Sequence, residues 1–200
     1  MAVKRIENKK ALTDTELRNE IEQRLLDLPI VQYAWLPESA LSFSERVRYI
    51  CETECPRYGK SWACPPGVGT VEKCREICNK YDEVFVFTTM AEVQDIANME
   101  ETLATRSGHE AVTRQIREIF QEYSFQTLAM SGESCAICRE CAYPNGPCRH
   151  PDQMIPCIEG YGIVVPLLAE KAGIVFDNGG NVVTWFGVVL FGKQEVRVNK

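Results

Sequence analysis

The spacing of the cysteines constrains this chain more than any other feature. Three of the ten cysteines form the run Cys135-Ala-Ile-Cys138-Arg-Glu-Cys141, and Cys148 follows after a gap of six residues. Two-residue gaps allow three thiolates to surround one face of a cubane cluster while backbone N–H groups turn toward its sulfides. We therefore predict a [4Fe-4S] cluster bound by Cys135, Cys138, Cys141 and Cys148.

Zinc is the alternative cofactor for this run. The bacterial ferredoxin run has three residues before its fourth cysteine and a proline directly after it, whereas here Arg149 and His150 separate Cys148 from Pro151. Four thiolates also make a closed tetrahedral zinc site. Three cysteines at consecutive two-residue gaps are awkward around one tetrahedral ion, so the pattern favours a cluster. Thiols without any metal are the remaining alternative.

A second set of cysteines lies earlier in the chain. Cys51 and Cys55 are separated by three residues, and Cys64 follows in a stretch rich in proline and glycine that predicts a loop over residues 51–69. Cys157 is the candidate fourth ligand, because it lies just past the later cysteine loop. The chain would then bind one or two clusters. Alternatively, the earlier cysteines support the first site or only pack.

A set of three cysteines also suggests an enzyme. If only Cys51, Cys55 and Cys64 bind a cluster, one iron lacks a protein ligand and can bind a small-molecule substrate as a Lewis acid. A third reading is a structural zinc protein that serves as an interaction module. The sequence contains no G-x-G-x-x-G after a strand and no Walker sequence, which argues against nucleotide-dependent chemistry.

Four other side chains have simpler expected roles. Cys74 and Cys78 share one face of a predicted helix, where free cysteines usually pack as small apolar groups. His109 lies in a predicted capping box, Ser107 to Glu110, and is expected at the surface. His150 adjoins a predicted ligand and is expected to support the cluster from outside its ligand shell.

Charge and hydropathy indicate the compartment and the partners. The first 23 residues are charged throughout and lack the apolar run of about seven residues that a signal peptide needs. We therefore expect a cytoplasmic protein, where tightly spaced cysteines are more often metal ligands than disulfides. The net charge of −6 argues against nucleic acid, and the longest apolar stretch, 162–169, is far shorter than the roughly 20 residues of a membrane span. The expected partner is a redox protein or a small molecule.

Periodicity predicts one domain, residues 1–200, of the α/β (α+β) class. The expectation is a mixed β-sheet covered by helices, with two cysteine-rich loops and a C-terminal β-hairpin. Helices are predicted at 14–28, 70–79, 93–103, 107–123 and up to 172, with strands at 84–89 and 125–130 and hairpin arms at 174–176 and 182–191.

The cysteine-bearing segments resemble a bacterial and archaeal family described only as predicted metal-binding proteins, domain of unknown function 2284. The resemblance covers roughly residues 45–175. It implies metal binding through these cysteines, often in anaerobic organisms, and it implies no established reaction. The similar segments are Cys55 with the following Gly-Lys-Ser-Trp-Ala-Cys64-Pro-Pro, the run from Cys135 to Cys141 with Cys148-Arg-His-Pro, and Ile158-Glu-Gly-Tyr-Gly-Ile ahead of Glu170-Lys-Ala-Gly.

Overall fold

A four-stranded β-sheet forms the centre of the protein. The structure is a computed structural model that describes residues 14–123, 125–133, 135–175 and 178–193. The strands are β1 (Gln32–Pro37), β2 (Glu83–Glu92), β3 (Phe125–Ser131) and β4 (Val182–Lys193), in the order β1-β2-β4-β3. The predicted α+β class is confirmed. The sheet, predicted as mixed, is antiparallel in all three strand pairings, because β4 enters between β2 and β3 and runs against both.

The C-terminal segment differs from the predicted hairpin. Ile174 and Val175 are not part of a strand, and residue 176, the last of the predicted first arm, lies outside the described residues. The second arm is β4, which pairs with β2 along ten residues and with β3 along seven. Position 187 of β4 has no room for a side chain, because a Cβ on Gly187 would lie 2.2 Å from the ring of Phe87. Because it pairs with a neighbour on each side, β4 is a central strand.

Six α-helices and two 3₁₀ helices surround the sheet in the part of the chain that the structure describes. The 3₁₀ helices are Glu38–Ala40 and Glu159–Tyr161, and the α-helices are α1 (Asp14–Leu25), α2 (Glu45–Glu54), α3 (Val71–Cys78), α4 (Met99–Ala104), α5 (Arg106–Glu122) and α6 (Val165–Ala172). Thr70 caps α3 as expected, accepting a hydrogen bond from the Lys73 N–H. α4 begins six residues later than predicted, because the Asn98 side chain caps its first turn. None of the described helices has the length and apolar character needed to span a membrane.

Both faces of the sheet are covered. The alternating side chains of β2 place Val84 and Val86 on one face, against α3 and α6, and Phe85 and Phe87 on the other, against α1 and α5. All four are fully buried. Complete burial of such a side chain stabilises a fold by about 1.5–3 kcal/mol. Cys51 and Cys55 lie at the C-terminal end of α2, and Cys135 follows the end of β3.

Candidate metal centres

The first candidate centre, which we call the loop site, is a cavity lined by Cys135, Cys138, Cys141 and Cys148. All four belong to the segment between β3 and the 3₁₀ helix Glu159–Tyr161, and each is half-buried. The opposite wall is the distant segment Ser61–Ala63, and the remaining lining residues are Ile137, His150 and Met154. The thiols therefore face a largely protein-lined space.

Trp62 fixes the outer part of the loop site. Its ring packs edge-on against Tyr143, with ring centroids 4.8 Å apart, and its indole N–H donates to the Gly146 carbonyl at 2.9 Å. These contacts lie in the connection between Cys141 and Cys148. The six-residue gap before the fourth cysteine is thus held by Trp62, which lies 84 residues before its hydrogen-bond partner Gly146.

Two thiols of the loop site receive hydrogen bonds from backbone N–H groups. Burial raises the pKa of Cys141, but N–H groups of Tyr143, Trp62 and Ala142 and the Ser61 hydroxyl outweigh it and leave the pKa lowered. Burial dominates at Cys135 and raises its pKa, although Ile137 and Ile155 N–H groups oppose it. Hydrogen bonds of this kind stabilise a thiolate, which is the form that binds metal.

A buried carboxylate supports the loop site from α5. Glu110 is 0% exposed, its Oε1 accepts the Ala136 N–H at 2.8 Å, and its Oε2 accepts from Arg114 at 3.1 Å. Burial raises the pKa of Glu110, while the bonds from Ala136 and Arg114 lower it. Because Ala136 lies between Cys135 and Cys138, Glu110 positions the backbone of this pair.

The second candidate centre, which we call the inner site, is a cavity lined by Cys51, Cys55, Cys64 and Cys157. Cys51 lies in the last turn of α2, so the predicted loop of residues 51–69 begins only after Glu54; Ser44 caps this helix and the helix continues over Cys51. Cys64 and Cys157 are buried, 4% and 6% exposed. A parallel bridge between Ser131 and Cys157 brings the fourth cysteine to the end of β3.

The thiols of the inner site interact with one another and with a carboxylate. A hydrogen bond with Cys64, burial and the charge of Glu159 raise the pKa of Cys157 well above its usual value. Its thiol donates to Glu159 Oε2 at 3.1 Å, and the Gly160 N–H donates to its sulfur at 3.3 Å. Burial, followed by the charge of Cys55, raises the pKa of Cys51 to about 11. Cys51 and Cys157 of the inner site thus have raised pKa values, whereas the pKa of Cys141 at the loop site is lowered.

Glu133 connects the inner site to the loop that follows β3. Its backbone N–H donates to the Glu159 carboxylate, and burial is the main cause that raises the pKa of that carboxylate. Glu133 has a φ of 63°, a left-handed conformation that is unfavourable for residues other than glycine. It also lines the cavity, together with Arg57, Tyr58 and Pro65.

Both cavities offer the type of donor that a thiolate-bound centre needs. All ten cysteines are free thiols, and each cavity is lined by four of them. In the described ranges, no group of three or more His, Cys, Asp or Glu side chains is arranged so that it could hold a metal ion.

The other sequence expectations have mixed outcomes. Cys74 and Cys78 are fully buried in the apolar core, as predicted. His109, predicted at the surface, is 2% exposed, because α5 begins at Arg106 and Ser107 is not its cap. His109 packs on the rings of Phe87 and Trp185. His150 lies on the wall of the loop site, where it was expected to support the ligands.

Three residues that contact the cysteines or the backbone beside them are not among the site residues predicted from sequence. Ser61 lies in a stretch read only as loop, Glu110 was assigned to a capping box, and Glu159 follows a candidate ligand by two residues. Only Glu159 had a local signal, its proximity to Cys157. The contacts of Ser61 and Glu110 join segments 80 and 26 residues apart in the chain.

Comparisons with known proteins identify one match. The sequence model of a family described as predicted metal-binding protein (DUF2284) matches residues 34–191, which include all ten cysteines. Neither the curated proteins nor the solved structures contain a match.

Proposed function

Because the chain belongs to the family of predicted metal-binding proteins (DUF2284), we propose that it is a cytoplasmic two-cluster iron–sulfur protein that transfers electrons. Cys135, Cys138, Cys141 and Cys148 would hold one [4Fe-4S] cluster at the loop site. The inner-site cysteines would hold the second. The observation that carries the proposal is the presence of two separate cavities, each lined by four free thiols.

The hydrogen-bonding groups around the thiols support a redox role. When bound, a [4Fe-4S] cluster accepts and releases one electron, at a potential set by net charge, hydrogen bonds to sulfur and solvent exposure. This chain supplies N–H groups to Cys141 and Cys135 at the loop site and to Cys157 at the inner site. Such donors stabilise the added negative charge of a reduced centre and hold the thiols in fixed orientations.

The position of Cys157 favours electron transfer over the open-site enzyme. An open iron needs a set of three thiols, but Cys157 lines the same cavity as Cys51, Cys55 and Cys64. Its sulfur is within hydrogen-bonding contact of Cys64. A fourth thiol in this place supports a fully ligated centre, whose function is to carry electrons between partner proteins.

Metal analysis after anaerobic purification tests the proposal. We expect about eight iron atoms and about eight sulfide ions for each chain, because two [4Fe-4S] clusters contain that number. About four irons would contradict the two-cluster assignment. Zinc without iron would contradict the proposal altogether and favour the structural zinc alternative.

A matched pair of cysteine variants tests the ligand assignment. Cys138→Ser should reduce the iron content to about four, because the loop site loses a thiolate. Cys74→Ser is the control, since Cys74 is buried outside both cavities and its thiol hydrogen-bonds the Val68 carbonyl, as a hydroxyl can. The control should keep about eight irons. Full iron content in Cys138→Ser would show that Cys138 is not a ligand.

A further inference from the structure

One short segment forms a wall of both candidate centres. Ser61, Trp62 and Ala63 line the loop site, whereas Cys64 and Pro65 line the inner site. Ser61, Ala63 and Cys64 are all buried, with exposures of 4%, 0% and 4%. The two cavities are therefore separated by the thickness of one polypeptide segment.

This segment is a tight turn. The Cys64 N–H donates to the Ser61 carbonyl at 3.2 Å, which closes a β-turn over residues 61–64. In such a turn the first and fourth Cα atoms are less than about 7 Å apart. Ser61 contacts a ligand of the loop site and Cys64 is a ligand candidate of the inner site, so little more than the width of this turn separates the two sets of thiols.

Hydrogen bonds tie the turn to thiol-bearing residues on both sides. On the loop-site side, the Ser61 hydroxyl and the Trp62 N–H bond the Cys141 sulfur. On the inner-site side, the Ala63 carbonyl accepts the Cys157 N–H at 2.9 Å. The Ser61 hydroxyl oxygen also accepts the Ala63 N–H at 3.1 Å. A continuous path of covalent and hydrogen bonds thus runs from Cys141 to Cys64 and Cys157.

The backbone at Gly67 packs directly against the turn. A Cβ at this position would lie 2.9 Å from the Ser61 carbonyl oxygen and 3.1 Å from the Cys64 carbonyl oxygen. Both atoms belong to the backbone and cannot rotate away as a side chain can. Only glycine permits the chain to return this closely over the turn.

The surroundings of the two sites differ in burial, charge and hydrogen bonding. These differences favour a lower reduction potential at the inner site, and hence electron transfer from the inner site to the loop site. The inner site has Cys64 and Cys157 buried. The carboxylates of Glu133 and Glu159 and the guanidinium of Arg57 lie nearby. At the loop site the buried carboxylate, Glu110, is paired with Arg114. Burial and negative charge lower the potential of a cluster, whereas exposure and hydrogen bonds to sulfur raise it. The loop site has half-buried cysteines and the richly hydrogen-bonded Cys141.

From these observations, and resting on the proposed function, we propose that the turn Ser61–Cys64 electronically couples the two sites into an intramolecular relay, with the inner site at the lower potential. One electron is taken up at the inner site from a low-potential one-electron donor protein and leaves the loop site to a one-electron acceptor protein. The donor is oxidised by one electron and the acceptor is reduced by one. No covalent bond is made or broken, and no proton is required.

Electron paramagnetic resonance of the dithionite-reduced protein tests the coupling. Fully reduced wild type should give a spectrum broadened or split by the interaction of two nearby spins, together with iron near eight for each chain. Cys138→Ser and Cys64→Ser, each retaining one site, should give narrow spectra without this interaction. A wild-type spectrum equal to the sum of the two variant spectra, with both sites loaded, would overturn the coupling and leave the proposed function intact. Iron near four or absent would instead contradict the proposed function, and the relay with it.

Two variants test the turn without removing a ligand. Ser61→Ala removes a hydrogen bond to Cys141, so the ratio of reduced to oxidised loop site at a fixed potential should fall roughly two- to tenfold, while the inner site is unchanged. Ser107→Ala, an exposed serine on α5, is the control and should change neither site.

Gly67→Ala should change the spin–spin splitting with both sites still loaded, because it displaces the turn. Unchanged loop-site potential in Ser61→Ala and unchanged splitting in Gly67→Ala would overturn the assignment of the turn.

Discussion

The loop site and the inner site contain the same number of thiols but differ in how the chain brings them together. The loop site takes its cysteines from one segment, 135–148, whereas the inner site joins Cys51 at the end of α2 to Cys157 beyond β3, 106 residues later. Long-range cross-links restrict an unfolded chain more than short ones. The inner site is therefore expected to stabilise the whole fold, and the loop site mainly its own segment.

Loss of a ligand from each site gives the largest expected difference. By analogy with covalent cross-links, closing a 100-residue loop is worth about 5 kcal/mol and closing a 15-residue loop about 3 kcal/mol. At about 2–4 °C for each kcal/mol, Cys64→Ser should lower the melting temperature by roughly 10–20 °C and Cys148→Ser by roughly 6–12 °C. Anaerobic thermal unfolding followed by circular dichroism measures both. An equal or larger effect of Cys148→Ser would remove the proposed distinction.

Acid should weaken the side of the molecule that supports the loop site, because His109 precedes Glu110 on α5 and is buried. Burial lowers the pKa of His109 to about 4, and its contacts with Thr89, Phe87 and Trp185 are uncharged. The unfolded chain therefore binds the proton more tightly than the folded protein. The neutral histidine contributes its full stability above pH ~6.5, and this contribution is lost as the pH falls toward about 4.

The expected loss between pH 7 and pH 5 is about 2 kcal/mol in the free energy of unfolding. His109→Gln keeps a polar side chain that does not titrate, so its unfolding free energy should fall by about 2 kcal/mol less over the same range. Denaturant unfolding of both proteins at the two pH values measures this difference. Parallel losses in the two proteins would show that His109 titrates normally in the folded state.

Removing the Glu110 carboxylate should affect the loop site and spare the inner site. Glu110→Ala leaves the Ala136 N–H without its buried acceptor, a loss of about 1.4 kcal/mol, or tenfold. Iron release to a chelator should then show two phases, with only the loop-site phase accelerated by roughly tenfold. Glu110→Gln keeps an acceptor oxygen and should restore the slow phase. Acceleration of both phases would indicate a general loosening of the fold.

The smallest expected effect concerns Glu133 beside the inner site. Glu133→Gly relieves a left-handed conformation that costs other residues about 1 kcal/mol. The melting temperature should rise by roughly 2–4 °C, and the loop-site signals should not change. Gly108, which lies within α5 and has no positive φ, offers the matched comparison: Gly108→Ala should also stabilise the protein, by removing glycine from a helix. A lower melting temperature in Glu133→Gly would show that the Glu133 side chain stabilises the loop.

Local sequence signals predicted the elements of this fold better than their arrangement. The apolar run around Val84 to Phe87 and the cap at Thr70 were sufficient for β2 and α3, because burial and capping are local properties. β1 was missed, since residues 30–50 mix aromatic, apolar and proline residues without a clear period. The antiparallel order also could not be predicted, because it depends on β4 inserting between β2 and β3 from the end of the chain.

The candidate sites show the same division. The spacing of Cys135, Cys138 and Cys141 is a short-range pattern, and the structure places these cysteines on one cavity wall. The support from Ser61 and Glu110 could not be read from spacing, because it arises where distant segments meet. His109 was placed at the surface for a related reason: Ser107 with Glu110 matches a capping box, but α5 starts before it.

Diffraction measured at the iron and zinc absorption edges, from crystals grown without oxygen, tests the two-site assignment most directly. We expect two iron peaks on either side of the turn at residues 61–64. One should lie among Cys135, Cys138, Cys141 and Cys148, and the other among Cys51, Cys55, Cys64 and Cys157. A single iron peak, a zinc signal in either cavity, or iron bound away from these cysteines would contradict the two-site assignment.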